Sequence, residues 1–224
     1  MKIIVFDLDD TLIQEEEYAK SGFKFIANKI NKEFSIKLIN AELNKINKKN
    51  GRGKIFNIFF ETFTKKKNIE KYIKLYRQHY PNIKLKPEAK KLLTLLKKKN
   101  YSTYLLTDGH RIAQRQKIQK LKLGRFFKKI FVTHEFGVNK MKPNLHCFKI
   151  IKKKEKVKWS EIIYVGDNPN SAVNINNLKI LCKGIYDPND LTTKTQSTLV
   201  TVNPWDLLIT ANTTLNGVYN AQNL

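Results

Sequence analysis

The chain has 224 residues and a formal net charge of +24 at pH 7. This length suits one α/β domain with a modest insertion, and it excludes several independent domains. A hydrophobic content of 41% excludes a disordered chain, and two cysteines without metal-ligand or redox spacing favour a reducing compartment.

The N-terminal segment gives no indication of export. The uninterrupted apolar run before Asp7 has only four residues, which is too few for the core of a signal peptide. Nowhere does an apolar run approach the roughly 18 residues that a membrane span requires. We therefore expect a cytoplasmic protein without a membrane partner.

The positive charge has three explanations. Lysine and arginine would neutralise the phosphates of a nucleic acid, or attract a small anionic substrate, or follow from the codon usage of an AT-rich genome. The lysines are scattered from Lys2 to Lys194, mainly on the polar faces of predicted helices. This scatter favours the third explanation, and we expect no nucleic-acid partner. The sequence makes no prediction about the oligomeric state.

Short apolar runs without alternation indicate strands that are buried on both faces of a parallel sheet. Such runs occupy residues 2–6, 104–106, 130–132, 162–165 and 180–181, with an edge strand predicted at 199–202. Helical periodicity predicts helices over 87–99, 112–121 and 143–154. Strands that alternate with helices predict right-handed βαβ units and an open, Rossmann-like parallel α/β sheet.

Residues 14–81 interrupt this alternation, because they show helical periodicity and no convincing strand. Apolar stripes over residues 18–30 and 55–63 predict two amphipathic helices, separated by a loop at 50–53. We predict a small helical subdomain inserted after the first strand. The core would then comprise residues 1–13 and 82–210, and residues 211–224 would form a C-terminal tail.

The segment after the first strand carries the chemistry, with Asp7 and Asp9 two residues apart. In an extended chain their side chains point the same way, at the edge of the sheet where open α/β proteins bind ligands. The repulsion between the two carboxylates calls for a cation, and oxygen ligands favour Mg²⁺. Asp7 would attack phosphorus as a nucleophile, while Asp9 would act first as a general acid and then as a general base.

The run Asp7-Leu8-Asp9-Asp10-Thr11 resembles the first motif of the haloacid dehalogenase superfamily, whose members are mostly phosphatases. Leu106-Thr107-Asp108-Gly109 resembles the second motif. The resemblance implies that the Thr107 hydroxyl binds the phosphoryl group, together with the backbone N–H groups of Asp108 and Gly109. It covers about residues 1–210.

The remaining motifs follow in the order that the resemblance requires. Lys142-Pro143 resembles the third motif, whose lysine stabilises charge on the phosphoryl oxygens and the nucleophile. The fourth motif is resembled by Tyr164-Val165-Gly166-Asp167-Asn168-Pro169, which implies Asp167 as a Mg²⁺ ligand beside Asp7 and the backbone carbonyl of Asp9. Ala172 occupies the position of a second acidic residue that the family usually has, so efficient turnover is an open question.

The insertion at 14–81 lies where the family carries a helical cap that closes over the active site. Arg52 and Lys54, in a loop with two glycines, are the specificity candidates on this cap. The resemblance implies a Mg²⁺-dependent phosphomonoesterase for a small phosphorylated metabolite, a sugar phosphate or a nucleotide. Two alternatives stay open: a phosphomutase with the same cap type, and a binding or regulatory module that has lost turnover.

Overall fold

The structure of the protein, a computed structural model, describes residues 3–30, 35–50, 53–64, 68–167, 179–182 and 199–200. Its centre is a six-stranded sheet in which every strand pairs in parallel with its neighbours. The strands are β1 (Ile3–Phe6), β2 (Ser102–Thr107), β3 (Lys129–Val132), β4 (Ile162–Gly166), β5 (Lys179–Cys182) and β6 (Leu199–Val200). Their order in the sheet is β3-β2-β1-β4-β5-β6. The predicted parallel α/β fold is thus confirmed.

Three helices accompany the strands: α5 (Pro87–Lys98), α6 (Arg111–Lys120) and α7 (His146–Glu155). The first two lie within one or two residues of their predicted bounds. The third begins three residues later than predicted, because residues 141–145 form turns in which the Asn144 side chain accepts a hydrogen bond from the backbone N–H of His146.

Alternate residues of β1 and β2 enter two different hydrophobic clusters, as the two-residue period of a strand requires. Ile4 and Phe6 pack with Leu93 of α5 on one face. Ile3 and Val5 pack on the other face with Phe148 of α7. All four residues of β1 are fully buried, which explains why this strand has no polar positions.

Between β1 and α5 the described residues form four α-helices: α1 (Glu15–Ile30), α2 (Ile36–Asn50), α3 (Ile55–Phe59) and α4 (Ile69–Gln78). A π-helical turn, Phe60–Thr64, follows α3. The sequence located only α1 and the α3 region. Helix α2 buries just three side chains and α4 buries none completely, although Ile69, Ile73 and Tyr76 of α4 pack against the cluster of the insertion.

The inserted helices have a hydrophobic cluster of their own, centred on Phe23, Leu43 and Phe59. This separate cluster supports our proposal that residues 14–81 form a cap on a core built from 1–13 and 82–210. The predicted tail at 211–224 and Ala172 lie outside the described residues. None of the helices in the described ranges is both long and apolar enough to cross a membrane.

Candidate active site

The predicted catalytic residues meet at the carboxyl edge of the sheet. In the register of the sheet, Phe6 at the end of β1 lies beside Leu105 of β2 and Val165 of β4. The residues that follow these strands therefore lie side by side, where parallel sheets bind ligands. A cleft of about 300 Å³ opens there. Its lining includes seven of the residues that the sequence singled out: Asp7, Asp9, Thr107, Asp108, Gly109, Lys142 and Asp167.

Asp7 is held from two sides. Its backbone N–H donates to the carbonyl of Val165 at 2.8 Å, which fixes the residue against β4. Its Oδ1 accepts hydrogen bonds from the backbone N–H of Leu8 and from Nζ of Lys142, both at 2.8 Å. Burial raises the pKa of Asp7 to about 6, although the Lys142 ammonium opposes the shift. The side chain is thus a carboxylate at neutral pH, and it is poorly solvated.

Lys142 is the cation that faces this carboxylate, and its side chain is only 4% exposed. Burial alone would lower the pKa of Lys142, but the charge and hydrogen bond of Asp7, together with the nearby Tyr164 and Asp108, outweigh that effect and raise it. Besides Asp7, the ammonium donates to the Tyr164 hydroxyl at 3.0 Å and to the carbonyl of Leu106 at 3.4 Å. The cleft therefore contains a fixed positive charge beside the predicted nucleophile.

The carboxylate of Asp9 is held by two buried side chains of α6. Nζ of Lys117 donates to Oδ1 at 2.7 Å, and Nε2 of Gln114 donates to Oδ2 at 2.8 Å. Lys117 also lies 4.0 Å from Glu15 and 4.3 Å from the ring centre of Tyr18, both in α1. This cluster joins the predicted acid–base residue to the core helix and to the first inserted helix.

The sequence did not identify Gln114 or Lys117. Both lie on the inner face of α6, beside Ala113 and Ile118. Gln114 is 3% exposed and Lys117 is 2% exposed. The i, i+3, i+4 spacing of these residues was the available indication, because it places all four on one face of a helix. Most lysines in this lysine-rich chain were expected on the polar faces of helices, and the buried Lys117 is an exception.

The loop after β2 has a second function besides its predicted contact with phosphate. The Asp108 carboxylate accepts hydrogen bonds from the Thr133 hydroxyl at 2.5 Å and from the backbone N–H of Lys142 at 3.2 Å. It thereby fixes the backbone that carries Lys142, and the sequence did not reveal this role. Thr107 is buried, and its hydroxyl donates to the carbonyl of Asp108 at 3.3 Å.

Gly109 must be glycine for two reasons. Its φ of +108° is one that other residues rarely adopt. In addition, a Cβ atom here would lie 2.6 Å from Nε2 of Gln114, the amide nitrogen that binds Asp9. A side chain at position 109 would therefore displace a residue that holds the carboxylate of Asp9.

A second cavity, of about 240 Å³, lies between the inserted helices and α6 and shares Glu15, Gly109 and Gln114 with the cleft. Its lining combines aromatic residues of the insertion with polar side chains: Tyr18, Phe23, Phe56, Asn47, Arg77 and His110. The carbonyl oxygens of the Asn47 and Gln114 side chains are buried here without a hydrogen-bond partner among the described residues. Polar groups of this kind require a partner, such as a bound hydroxyl group.

The two specificity candidates from the sequence do not explain this cavity. Lys54 is exposed and does not line it, although its neighbours Gly53 and Ile55 do. Arg52 lies outside the described residues. The structure instead places Arg77 of α4 at the cavity. The sequence missed Arg77 because it did not locate α4.

The donor atoms at the cleft fit a magnesium ion. Within the described ranges, no group of three or more His, Cys, Asp or Glu side chains is arranged to hold a metal. Mg²⁺ does not need such a group, because it keeps several waters and binds one or two carboxylates together with substrate phosphate. Asp7 and Asp167 offer two carboxylates to the same cleft. The Asp9 carboxylate is engaged by Gln114 and Lys117 of α6, so this residue would contribute its backbone carbonyl.

An open parallel sheet with paired aspartates, a lysine and a further aspartate at its carboxyl edge defines the class of hydrolase that the motifs predicted. The family model of the haloacid dehalogenase-like hydrolases matches residues 4–180. The chain therefore belongs to the haloacid dehalogenase-like hydrolase family.

Two curated relatives are similar over most of the chain. The glyceraldehyde 3-phosphate phosphatase of Pyrococcus furiosus is 34% identical over 184 residues, which are 77% of this chain and 75% of the relative. The glyceraldehyde 3-phosphate phosphatase of Methanocaldococcus jannaschii is 32% identical over 183 residues, or 77% of this chain and 79% of the relative.

Solved structures share the fold. A putative β-phosphoglucomutase from Thermotoga maritima matches with a TM-score of 0.61 and 18% identity, over 93% of this chain and 97% of that one. The putative hydrolase YfnB from Bacillus subtilis, whose structure was solved with bound magnesium, matches with a TM-score of 0.59 and 17% identity, over 81% and 86% of the two chains.

Proposed function

We propose that this phosphatase of the haloacid dehalogenase-like hydrolases removes the phosphate group from a small phosphorylated sugar, with Asp7 as nucleophile and Mg²⁺ as cofactor. The observation that carries the proposal is the buried pair of Asp7 and Lys142, 2.8 Å apart in the cleft that Thr107 and Asp167 also line. A carboxylate shielded from water and a fixed cation are what attack on a phosphate monoester requires.

In the first step an oxygen of Asp7 attacks phosphorus, and the bond from phosphorus to the ester oxygen breaks. The leaving oxygen takes a proton from the carboxyl group of Asp9, and Asp7 becomes an aspartyl-phosphate. Lys142 stabilises the charge on the phosphoryl oxygens, and the hydroxyl of Thr107 with the backbone of Asp108 and Gly109 binds them.

In the second step a water molecule attacks the phosphorus of the aspartyl-phosphate. Asp9, now a carboxylate, takes the proton of this water, and Asp7 is released with inorganic phosphate. The hydrogen bonds from Lys117 and Gln114 to both oxygens of Asp9 suit this form of the side chain. The proton taken from water returns Asp9 to the acid form that protonates the next leaving group.

Asp7, Asp167 and the backbone carbonyl of Asp9 would hold the Mg²⁺ ion. When bound, Mg²⁺ offsets the negative charges of the phosphate and the carboxylates that surround it.

The second cavity would receive the leaving group, because it adjoins the cleft through Gly109 and Gln114. Its volume of about 240 Å³ lies below the range of about 300–1,000 Å³ that is usual for larger ligands, which favours a short sugar over a nucleoside. Its polar lining suits a hydroxylated molecule. The names of the curated relatives also point to a triose phosphate, so we propose a substrate of the size of glyceraldehyde 3-phosphate.

A substrate screen tests this function. With Mg²⁺, we expect release of inorganic phosphate from glyceraldehyde 3-phosphate and glycerol phosphates, with kcat/KM at least about tenfold above that for nucleoside monophosphates. Excess chelator should abolish the release. Isomerisation of a sugar phosphate without release of phosphate would favour the phosphomutase. If no substrate of the panel releases phosphate or is isomerised with Mg²⁺ present, the result would favour the binding module.

A further inference from the structure

The hydroxyl of Tyr164 is a buried contact of Lys142 that neither the motifs nor the proposed chemistry has used. Tyr164 is fully buried in β4, three residues before Asp167. Its oxygen lies 3.0 Å from Nζ of Lys142, and the ammonium lies 5.5 Å from the centre of its ring. We propose that Tyr164 is a positioning residue, which holds the Lys142 ammonium beside Asp7 before substrate binds.

The hydrogen bonds of Lys142 support this role. An ammonium group has three N–H donors, and Lys142 directs its donors at Oδ1 of Asp7, the hydroxyl of Tyr164 and the carbonyl of Leu106. The contact with Leu106 is long, at 3.4 Å, so the hydroxyl is the closer of the two uncharged acceptors. A lysine side chain is flexible, and its charge acts at a defined place only when its end is fixed.

The position of the Tyr164 ring is fixed in turn by two neighbours. Gly166 lies two residues on, on the same face of β4, and a Cβ atom there would come within 2.9 Å of the tyrosine hydroxyl. The ring of Phe148 packs edge-on against Tyr164 at a centroid distance of 5.6 Å. The absence of a side chain at Gly166 thus leaves the space through which the ring reaches Lys142.

The hydroxyl matters for the rate because the charge on the phosphoryl group changes during the reaction, while the ammonium must stay in place. A cation that is held in advance needs no rearrangement as the transition state forms. Loss of the hydroxyl should therefore affect kcat more than KM. This inference rests on the proposed roles of Asp7 and Lys142.

Tyr164→Phe removes the hydroxyl and keeps the ring. The matched control is Tyr104→Phe, since Tyr104 is also fully buried in the same hydrophobic cluster but its hydroxyl bonds to Glu155 instead of Lys142. Each variant loses a hydrogen bond of a buried tyrosine side chain, and we expect Tm to fall by about 2–4 °C in both. With saturating Mg²⁺, kcat should fall about tenfold in Tyr164→Phe with KM within about twofold, and Tyr104→Phe should stay within twofold of wild type.

Inhibition by orthovanadate gives a second readout that does not depend on turnover. Vanadate adopts a geometry close to that of the phosphoryl transition state, so its inhibition constant should rise in Tyr164→Phe by about the factor by which kcat falls. It should stay unchanged in Tyr104→Phe.

If kcat is unchanged in Tyr164→Phe, or falls by the same factor in both variants, the inference is overturned, because the hydroxyl would then serve only the packing of the core. Wild-type turnover in Asp7→Asn would instead overturn the proposed function itself. If Tyr164→Phe has the kcat of wild type while Asp7→Asn is inactive, the role of Tyr164 is rejected and the proposed function stands.

Discussion

Asp7→Asn should lower kcat by about 10⁴-fold or more, because an amide oxygen cannot act as the nucleophile at phosphorus. The substitution keeps the size of the side chain and can retain the hydrogen bond from the backbone N–H of Leu8. Because it also leaves the buried Lys142 ammonium without its counter-ion, we expect some loss of stability as well, and the rates are therefore compared for folded protein. The measurement is the rate of p-nitrophenyl phosphate hydrolysis with Mg²⁺, together with the circular dichroism spectrum of the variant.

The control for Asp7→Asn is the same change three residues further on. The side chain of Asp10 accepts a hydrogen bond from the backbone N–H of Glu15 at 2.9 Å, and an asparagine can accept the same bond. Asp10→Asn should therefore keep kcat within about tenfold of wild type. More than a tenth of the wild-type rate in folded Asp7→Asn would contradict the role of nucleophile.

Lys142→Met should lower both activity and stability. Loss of the cation should reduce kcat by about 10²–10³-fold, as the loss of one charge-stabilising donor does. It also leaves Asp7 buried without its counter-ion, which should reduce the free energy of unfolding by about 3 kcal/mol at pH 8. Urea unfolding in the presence of chelator measures the second effect.

The stability loss in Lys142→Met should depend on pH, with a sign that follows from the pKa of Asp7. Burial raises this pKa to about 6 even with Lys142 present, and without the ammonium it should rise further. A carboxyl group whose pKa is higher in the folded state than in the unfolded state loses stability as the pH rises through the folded value. The deficit should thus be full at pH 8 and shrink towards pH 5.

Lys20→Met is the control for this titration, since Lys20 pairs with Glu16 at 2.8 Å but both side chains are more than half exposed. Its stability should differ little from wild type at either pH, as for other surface pairs. A deficit in Lys142→Met that is the same at pH 5 and pH 8 would show that the buried carboxylate is not its cause.

The sequence predicted those features that depend on neighbouring residues in the chain. The continuous apolar run before Asp7 identified a strand buried on both faces, and the two-residue spacing placed Asp7 and Asp9 at its end. The order of the motifs then brought Thr107, Lys142 and Asp167 to the same edge, where the structure places them. Helix α5 was predicted within one residue because proline begins it and leucines form its stripe.

Contacts between distant segments were not predictable in this way. Lys117 and Asp9 are 108 residues apart, and a buried lysine cannot be distinguished by composition from the many exposed ones. The sequence assigned a role only to the backbone N–H of Asp108, yet its side chain binds Thr133 and the backbone of Lys142. Tyr164 was placed in a buried strand at the start of the fourth motif but was given no role, because nothing local indicates which group its hydroxyl contacts.

The insertion shows the same limit. Its aromatic stripe predicted a hydrophobic cluster correctly, because aromatic residues at helical spacing pack against one another. The residues that line its cavity depend on how four helices pack, and the sequence located only two of them. Arg77 was therefore missed, and exposed Lys54 was selected instead.

The formation of an aspartyl-phosphate at Asp7 can be tested most directly in Asp9→Asn with p-nitrophenyl phosphate. This aryl leaving group needs little protonation, so the first step should proceed, while the second step lacks its base. We predict a burst of about one p-nitrophenol per enzyme, followed by slow turnover. Borohydride reduction and peptide mass spectrometry should then find homoserine at position 7. Linear release without a burst, or a phosphorylated residue elsewhere in the chain, would contradict the account.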